Sequence, residues 1–146
     1  MDRLRFTPRN FNTGLFTEGG TPLPVLDNEQ LLYVGEGTEF YMKLGEGNNG
    51  LFNTSRYYSN RGTIFITTYR LFYRPDILTT QFCSFFVINS SITTIKETST
   101  RKLTLVMDLE GNIQGRLCLN LRAGLSNTLA KHLERTRTNL REVALG

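Results

Sequence analysis

Two cysteines, one histidine and scattered carboxylates are the side chains from which a thiol or metal site could be built in these 146 residues. Cys83 sits in the apolar run 82–88 and Cys118 between Leu117 and Leu119. Both therefore read as small buried hydrophobes in a reducing compartment rather than a disulfide, a metal pair or a nucleophile. His132 lies at the edge of an apolar stripe with no second donor near it. That leaves no Cys/His or Ser/His arrangement and no metal site. The glycines of Gly45-Glu-Gly-Asn-Asn-Gly50 lack the Lys-Ser/Thr of a phosphate-cradling loop and suit a turn. The expectation is a chain that is not an enzyme, with no catalytic residues, no metal and no cofactor.

What remains is positive charge. The formal net charge is +4, and it is unevenly placed: residues 1–60 hold five basic against seven acidic side chains, residues 61–146 twelve against six. An anionic partner would be drawn to the second part, although a moderately basic solvated surface gives the same count. The candidate lipid- or partner-binding cations are Lys43, Arg56, Arg61, Arg70 and Arg74 on the first strands and corners, with Lys96, Arg101 and Lys102 on a later turn. Each would contribute about 1 kcal/mol beside an anionic bilayer. Arg70, at a tight corner, could instead hold that corner through backbone carbonyls. Lys131, Arg135, Arg137 and Arg141 on the last segment read as a solvated helix face. With no aromatic stacking platform beside them, nucleic acid is disfavoured as a partner.

These side chains need elements to carry them. Residues 1–27 have no periodicity and many turn formers, which predicts an extended arm pinned by Leu15, Phe16, Leu23 and Leu26. A domain then occupies residues 28–146. Residues 29–44 predict a bent strand or a strand pair, with Gly35-Glu36-Gly37 as a bend or bulge between the halves, and residues 45–60 a long loop whose Leu51, Phe52, Tyr57 and Tyr58 could touch a partner. Alternation of Ile64 and Ile66 with Thr63, Phe65 and Thr67 predicts a strand, and Leu71-Phe72-Tyr73 a second one stopped by Pro75. Further strands are predicted over 81–88, 92–97, 103–109 and 113–121, the last two joined across Glu110-Gly111-Asn112. The period then changes: Leu125, Leu129, Leu133, Leu140 and Val143 fall on one helical stripe, with Ser126 as a possible N-cap and an end near Leu145.

The fold class that follows is mainly β with one C-terminal α-helix: a half-barrel of about seven antiparallel strands plugged by the helix, the pleckstrin-homology-like architecture. Gly62-Thr-Ile-Phe-Ile-Thr-Thr-Tyr-Arg-Leu-Phe-Tyr73 resembles the signature hairpin of GRAM domains, a family of that fold. Asn28-Glu-Gln-Leu-Leu-Tyr33 resembles its leader strand, and the run 82–88 with Ile92 its next strands. Within the family the match is most like the WW-domain-binding protein 2 type, over about residues 20–100. That type works through a Pro-Pro-x-Tyr tail. This chain has only Pro8, Pro22, Pro24 and Pro75 and no such motif, so WW binding does not carry over.

The resemblance implies a non-catalytic interaction module, an adaptor or regulatory scaffold that binds protein partners and could serve transcriptional co-regulation. An extended peptide could add a strand in the groove between sheet edge and helix. The alternative is peripheral binding to anionic phosphoinositide membranes through basic loops. The sequence has no run near the ~20 apolar residues of a spanning helix. Its first residues also lack the apolar middle of a secretory signal. An intracellular protein is therefore expected, cytoplasmic or nuclear, with transient membrane association.

Overall fold

The computed structural model describes residues 10–24, 28–46, 55–109, 113–122 and 124–137. Seven strands, β1 (Leu31–Glu46), β2 (Ser55–Thr67), β3 (Arg70–Pro75), β4 (Phe85–Ile88), β5 (Ile92–Ser99), β6 (Lys102–Leu109) and β7 (Ile113–Asn120), precede helix α1 (Ser126–Thr136). They form one antiparallel sheet in the order β4-β3-β2-β1-β7-β6-β5, which curls into a half-barrel consistent with a pleckstrin-homology-like fold. The long β1 joins the two halves, pairing with β2 on one side and β7 on the other. Its register slips on both sides of Thr38, beside Gly37 at φ 71°, a value that a side chain would strain. This bulge is the predicted bend. It leaves Val34 exposed while Phe40, Met42 and Leu44 point into the core.

The concave side is filled by alternate residues of every strand. Ile64, Ile66, Leu71, Tyr73, Leu103, Leu105, Met107, Leu117 and Leu119 are all nearly inaccessible, and Leu129 and Leu133 of α1 close the barrel end over them. Gly62 is required at the β2–β3 crossing, because a Cβ there would come within 2.5 Å of the Arg74 carbonyl oxygen. Beside it the Tyr73 hydroxyl donates to Thr38 O at 2.7 Å and meets Ser59 Oγ at 3.0 Å. Burial pushes its pKa well up, so this phenol stays a neutral donor.

From Gly62 onward, β2 and its partner β3 are largely buried on both faces, and the arm is the reason. Phe16 packs against the outward rings of Phe65 and Phe72. Phe11, 1 % exposed, enters the core, stacked on Tyr57 at 3.8 Å and in contact with Phe82 and Phe85. The chain around it runs antiparallel to β4: Phe86 N donates to Asn10 O and Asn12 N to Ser84 O. Residues 10–24 thus form an arm packed onto the domain, with Phe11 in its core. Phe11 and Phe16 pin them, whereas Leu15 and Leu23 lie 60 % and 41 % exposed. Leu26 lies outside the described residues.

A buried ion pair locks the same region. Arg70 donates through Nε and Nη2 to the two Glu29 oxygens at 2.9 and 2.8 Å, and Nη2 also reaches Leu23 O at 2.9 Å. Thr67 Oγ1 donates to Glu29 at 2.6 Å and accepts from Arg70 N. The guanidinium lies 4.3 Å over the Phe72 ring.

Several other expectations are corrected. The predicted loop 45–60 is strand as far as Glu46 and again from Ser55, because outward Arg56 and Tyr58 alternate with inward Tyr57 and Ser59. Residues 47–54, Leu51 and Phe52 among them, lie outside the described residues. The strand expected from 81 begins only at Phe85, since the Cys83 and Ser84 amides are drawn to Asn12 Oδ1. Ser126 is not a cap: its hydroxyl donates to Ser99 O at 2.6 Å, and Leu125 occupies the cap position. The helix stripe beyond Arg137, with Leu140 and Val143, lies outside the described residues. Cys118 is exposed and Cys83 half-buried, because β7 alternation turns Leu117 and Leu119 inward and Cys118 out.

Two substitutions test this packing. Phe11→Ala should lower the unfolding free energy by about 3–5 kcal/mol, read from urea melts, whereas loss of a dispensable arm would change nothing. Arg70→Ala should lower it by a similar ~3–5 kcal/mol, because the Glu29 carboxylate would stay buried with the guanidinium that offsets its charge removed.

Candidate functional site: a cationic row on the outer sheet face

The eight cations singled out in the sequence do not converge. Arg70 is 8 % exposed and fully engaged with Glu29, which removes it from any lipid- or partner-binding surface. Arg61 and Arg74 stand at the end of the β2–β3 pair. Arg61 is held 3.4 Å from Asp76, and Arg74 lies over the Phe16 ring at 5.7 Å. Lys96 is exposed on β5, with Arg101 and Lys102 at the β5–β6 turn, where Arg101 donates to the Arg122 carbonyl.

Lys43 and Arg56 do come together, and a third cation joins them. Lys43 of β1 lies directly opposite Arg56 of β2 and, on its other side, directly opposite Arg116 of β7. All three are exposed on the convex face, since their neighbours Met42, Leu44 and Leu117 fill the core. Directly opposed side chains have Cβ atoms about 4.5–5.5 Å apart, and like charges so placed repel. Among the described residues no ion pair engages any of the three. Arg56 Nε instead donates to the neutral Tyr41 hydroxyl at 2.9 Å.

One step along the strands a second row runs parallel: Tyr58, Tyr41 and Cys118 in register, then Thr104 and Lys96. Tyr41 and Tyr58, 38 % and 54 % exposed, meet edge to face at 6.5 Å. The Tyr58 hydroxyl donates to Glu39 at 2.7 Å. That bond above all, with burial and the carboxylate charge adding to it, raises the phenol's pKa above its usual 10.0. Glu39 also accepts from Asn120, and the exposed Asp108 of β6, paired with Gln114, stands diagonally across from Arg116. Beyond Tyr58 the face continues into a shallow cleft of about 440 Å³ lined by Tyr58, Asn60, Arg61, Pro75, Ile77 and Phe82. Ile77 in its lining is 80 % exposed, and Leu78, next in the chain, 49 %.

Arg116 was missed in the sequence. Alternation with Leu117 marks it as outward on β7, yet only the adjacency of β1 and β7 brings it beside Lys43. The expected groove for strand addition is altered as well: at the β4 edge the arm already fills it, and at the other edge α1 lies along β5. His132 is half-buried against the Tyr33 ring at 5.8 Å, in a packing position. Among the described residues no three His, Cys, Asp or Glu side chains gather as a metal site requires, and no helix is long and apolar enough to cross a membrane.

Repulsion along the row makes a measurable prediction. Lys43→Gln should raise stability by roughly 0.2–1 kcal/mol at low salt, and the gain should vanish near ~1 M salt as the row is screened. Denaturant melts at both salt concentrations check it; a loss of stability at low salt would mean that the row is neutralised.

No family model matches this chain, and no curated protein matches it either.

Proposed function

We propose that this chain is a non-catalytic GRAM-like interaction module, an adaptor or regulatory scaffold that docks a protein partner through the convex face of β2, β1 and β7. The carrying observation is the row Arg56–Lys43–Arg116, three cations set side by side with no ion pair to any of them among the described residues. Such an arrangement lowers the stability of the free molecule and is relieved when an anionic surface covers it. Tyr41 and Tyr58 beside the row add rigid amphipathic area of the kind enriched at protein interfaces. The resemblance of residues 62–73 to the GRAM hairpin supports the same reading, with transcriptional co-regulation in cytoplasm or nucleus as its setting. With Arg70 buried, the part of the motif nearest to chemistry serves the fold, and docking passes to the outer face.

A second reading, peripheral attachment to anionic phosphoinositide membranes, is favoured by one observation. Ile77 and Leu78 project into solvent just after Arg74 in the chain and beside the Arg61–Asp76 pair, an apolar tip with basic side chains nearby.

The immobilised chain, exposed to a cell extract, should retain a discrete set of proteins that elute as salt rises, and Lys43→Glu should abolish retention. In parallel, co-sedimentation with phosphatidylserine and phosphoinositide vesicles should be absent. Co-sedimentation lost in Ile77→Asp, with nothing retained from the extract, would replace the adaptor reading by the membrane one.

A further inference from the structure

Taking the protein-partner reading as its premise, we infer that the occupant of the convex face is an acidic amphipathic α-helix lying across the strands, its carboxylates over Arg56, Lys43 and Arg116. The row crosses three strands at right angles to them, so its repeat is the spacing between opposed side chains, about 4.5–5.5 Å. Side chains three and four apart on a helix repeat at about 5–6 Å. An extended peptide places same-face side chains roughly 6.5–7 Å apart, two residues of strand rise, and drifts out of step by the third cation. A helix with Glu or Asp at i, i+4 and i+7 therefore meets all three charges at once.

The neighbouring row sets the rest of the partner's surface. Tyr58, Tyr41 and Cys118 run parallel to the cations on the same strands, so the helix turns an apolar stripe toward them beside its acidic one. Glu39, at the far side of the tyrosines, is held by Tyr58 and Asn120 and does not compete for the cations. Both guanidinium groups of the row can grip a carboxylate in bidentate fashion, and Lys43 between them offers a point charge. Every contact residue stands on a strand rather than a loop, so the face is already in its binding geometry.

Fluorescence anisotropy with a synthetic peptide of about 18 residues, long enough to be helical in water, tests the inference. It carries Glu at i, i+4, i+7 and i+11 with Leu on the adjoining stripe; its control has the same composition with two central residues exchanged for proline. The helical peptide should bind at low salt and weaken steeply with added salt. Lys43→Glu and Arg116→Glu should each weaken it by about tenfold or more, as expected when a close charge pair becomes repulsive. Lys131→Glu, on the exposed side of α1, should leave it unchanged. No binding at low salt, equal binding of the proline control, or indifference to Arg116→Glu would overturn the inference. So would phosphatidylserine vesicles that capture the chain through Arg116 while the peptide does not. If extract proteins are still retained in a Lys43-dependent way, the adaptor reading survives and only the helix is lost.

Discussion

The bidentate contact of Arg70 with Glu29 is the constraint on which the rest of the molecule depends. Taking both charges out of water costs several kcal/mol per ion, and geometry must return it. Here the two parallel N–H···O bonds, the Thr67 hydroxyl, the Leu23 carbonyl and the Phe72 ring together satisfy the pair. The contact ties three parts of the chain that share no local order: the arm through Leu23, the lead into β1 through Glu29, and the β2–β3 corner through Thr67 and Arg70. It places the arm over the outer face of the hairpin. Only then can Phe65 and Phe72 point away from the core without meeting water.

From that coverage the division of the sheet follows. Where the arm lies over β2, β3 and β4, both faces are apolar and the sheet serves the fold. The first half of β2 extends beyond β3, which pairs only from Gly62 onward, and there the outward side chains are Arg56 and Tyr58. The same uncovered face continues across β1 and β7 with Lys43, Tyr41, Arg116 and Cys118. The proposed binding surface is thus the part of the outer face that the arm leaves bare.

Periodicity made most of the framework legible. Period-two runs located the strands, Gly35-Glu36-Gly37 the bulge, and the leucine stripe of Leu129 and Leu133 the helix. Interactions between distant residues were hidden. Glu29 and Arg70 are separated by 41 positions, and nothing local in Asn28-Glu-Gln distinguishes a buried carboxylate from a solvated one. Phe11 sits in a stretch without period, so its plugging of the core beside Phe85 could not be read from spacing. Lys43 and Arg56 were visible as cations but not as neighbours. Arg116 was invisible as part of a site, because which strand lies between which depends on the sheet order and not on the pattern within any strand.

The location of the cations also bears on how the face works. Pleckstrin-like recognition is usually sought in loops, where side chains must be ordered at the moment of binding, at about 0.5–1.5 kcal/mol for each long one. Arg56, Lys43 and Arg116 emerge instead from strands whose inward neighbours, Met42, Leu44 and Leu117, are locked in the core. Their Cβ positions are fixed by register; only the side-chain ends remain to be ordered. The mutual repulsion that this register imposes is carried by the free protein, and under the proposed docking a partner's carboxylates would release it. Binding energy at such a face would come partly from strain already present, so it should depend on register as strictly as on charge.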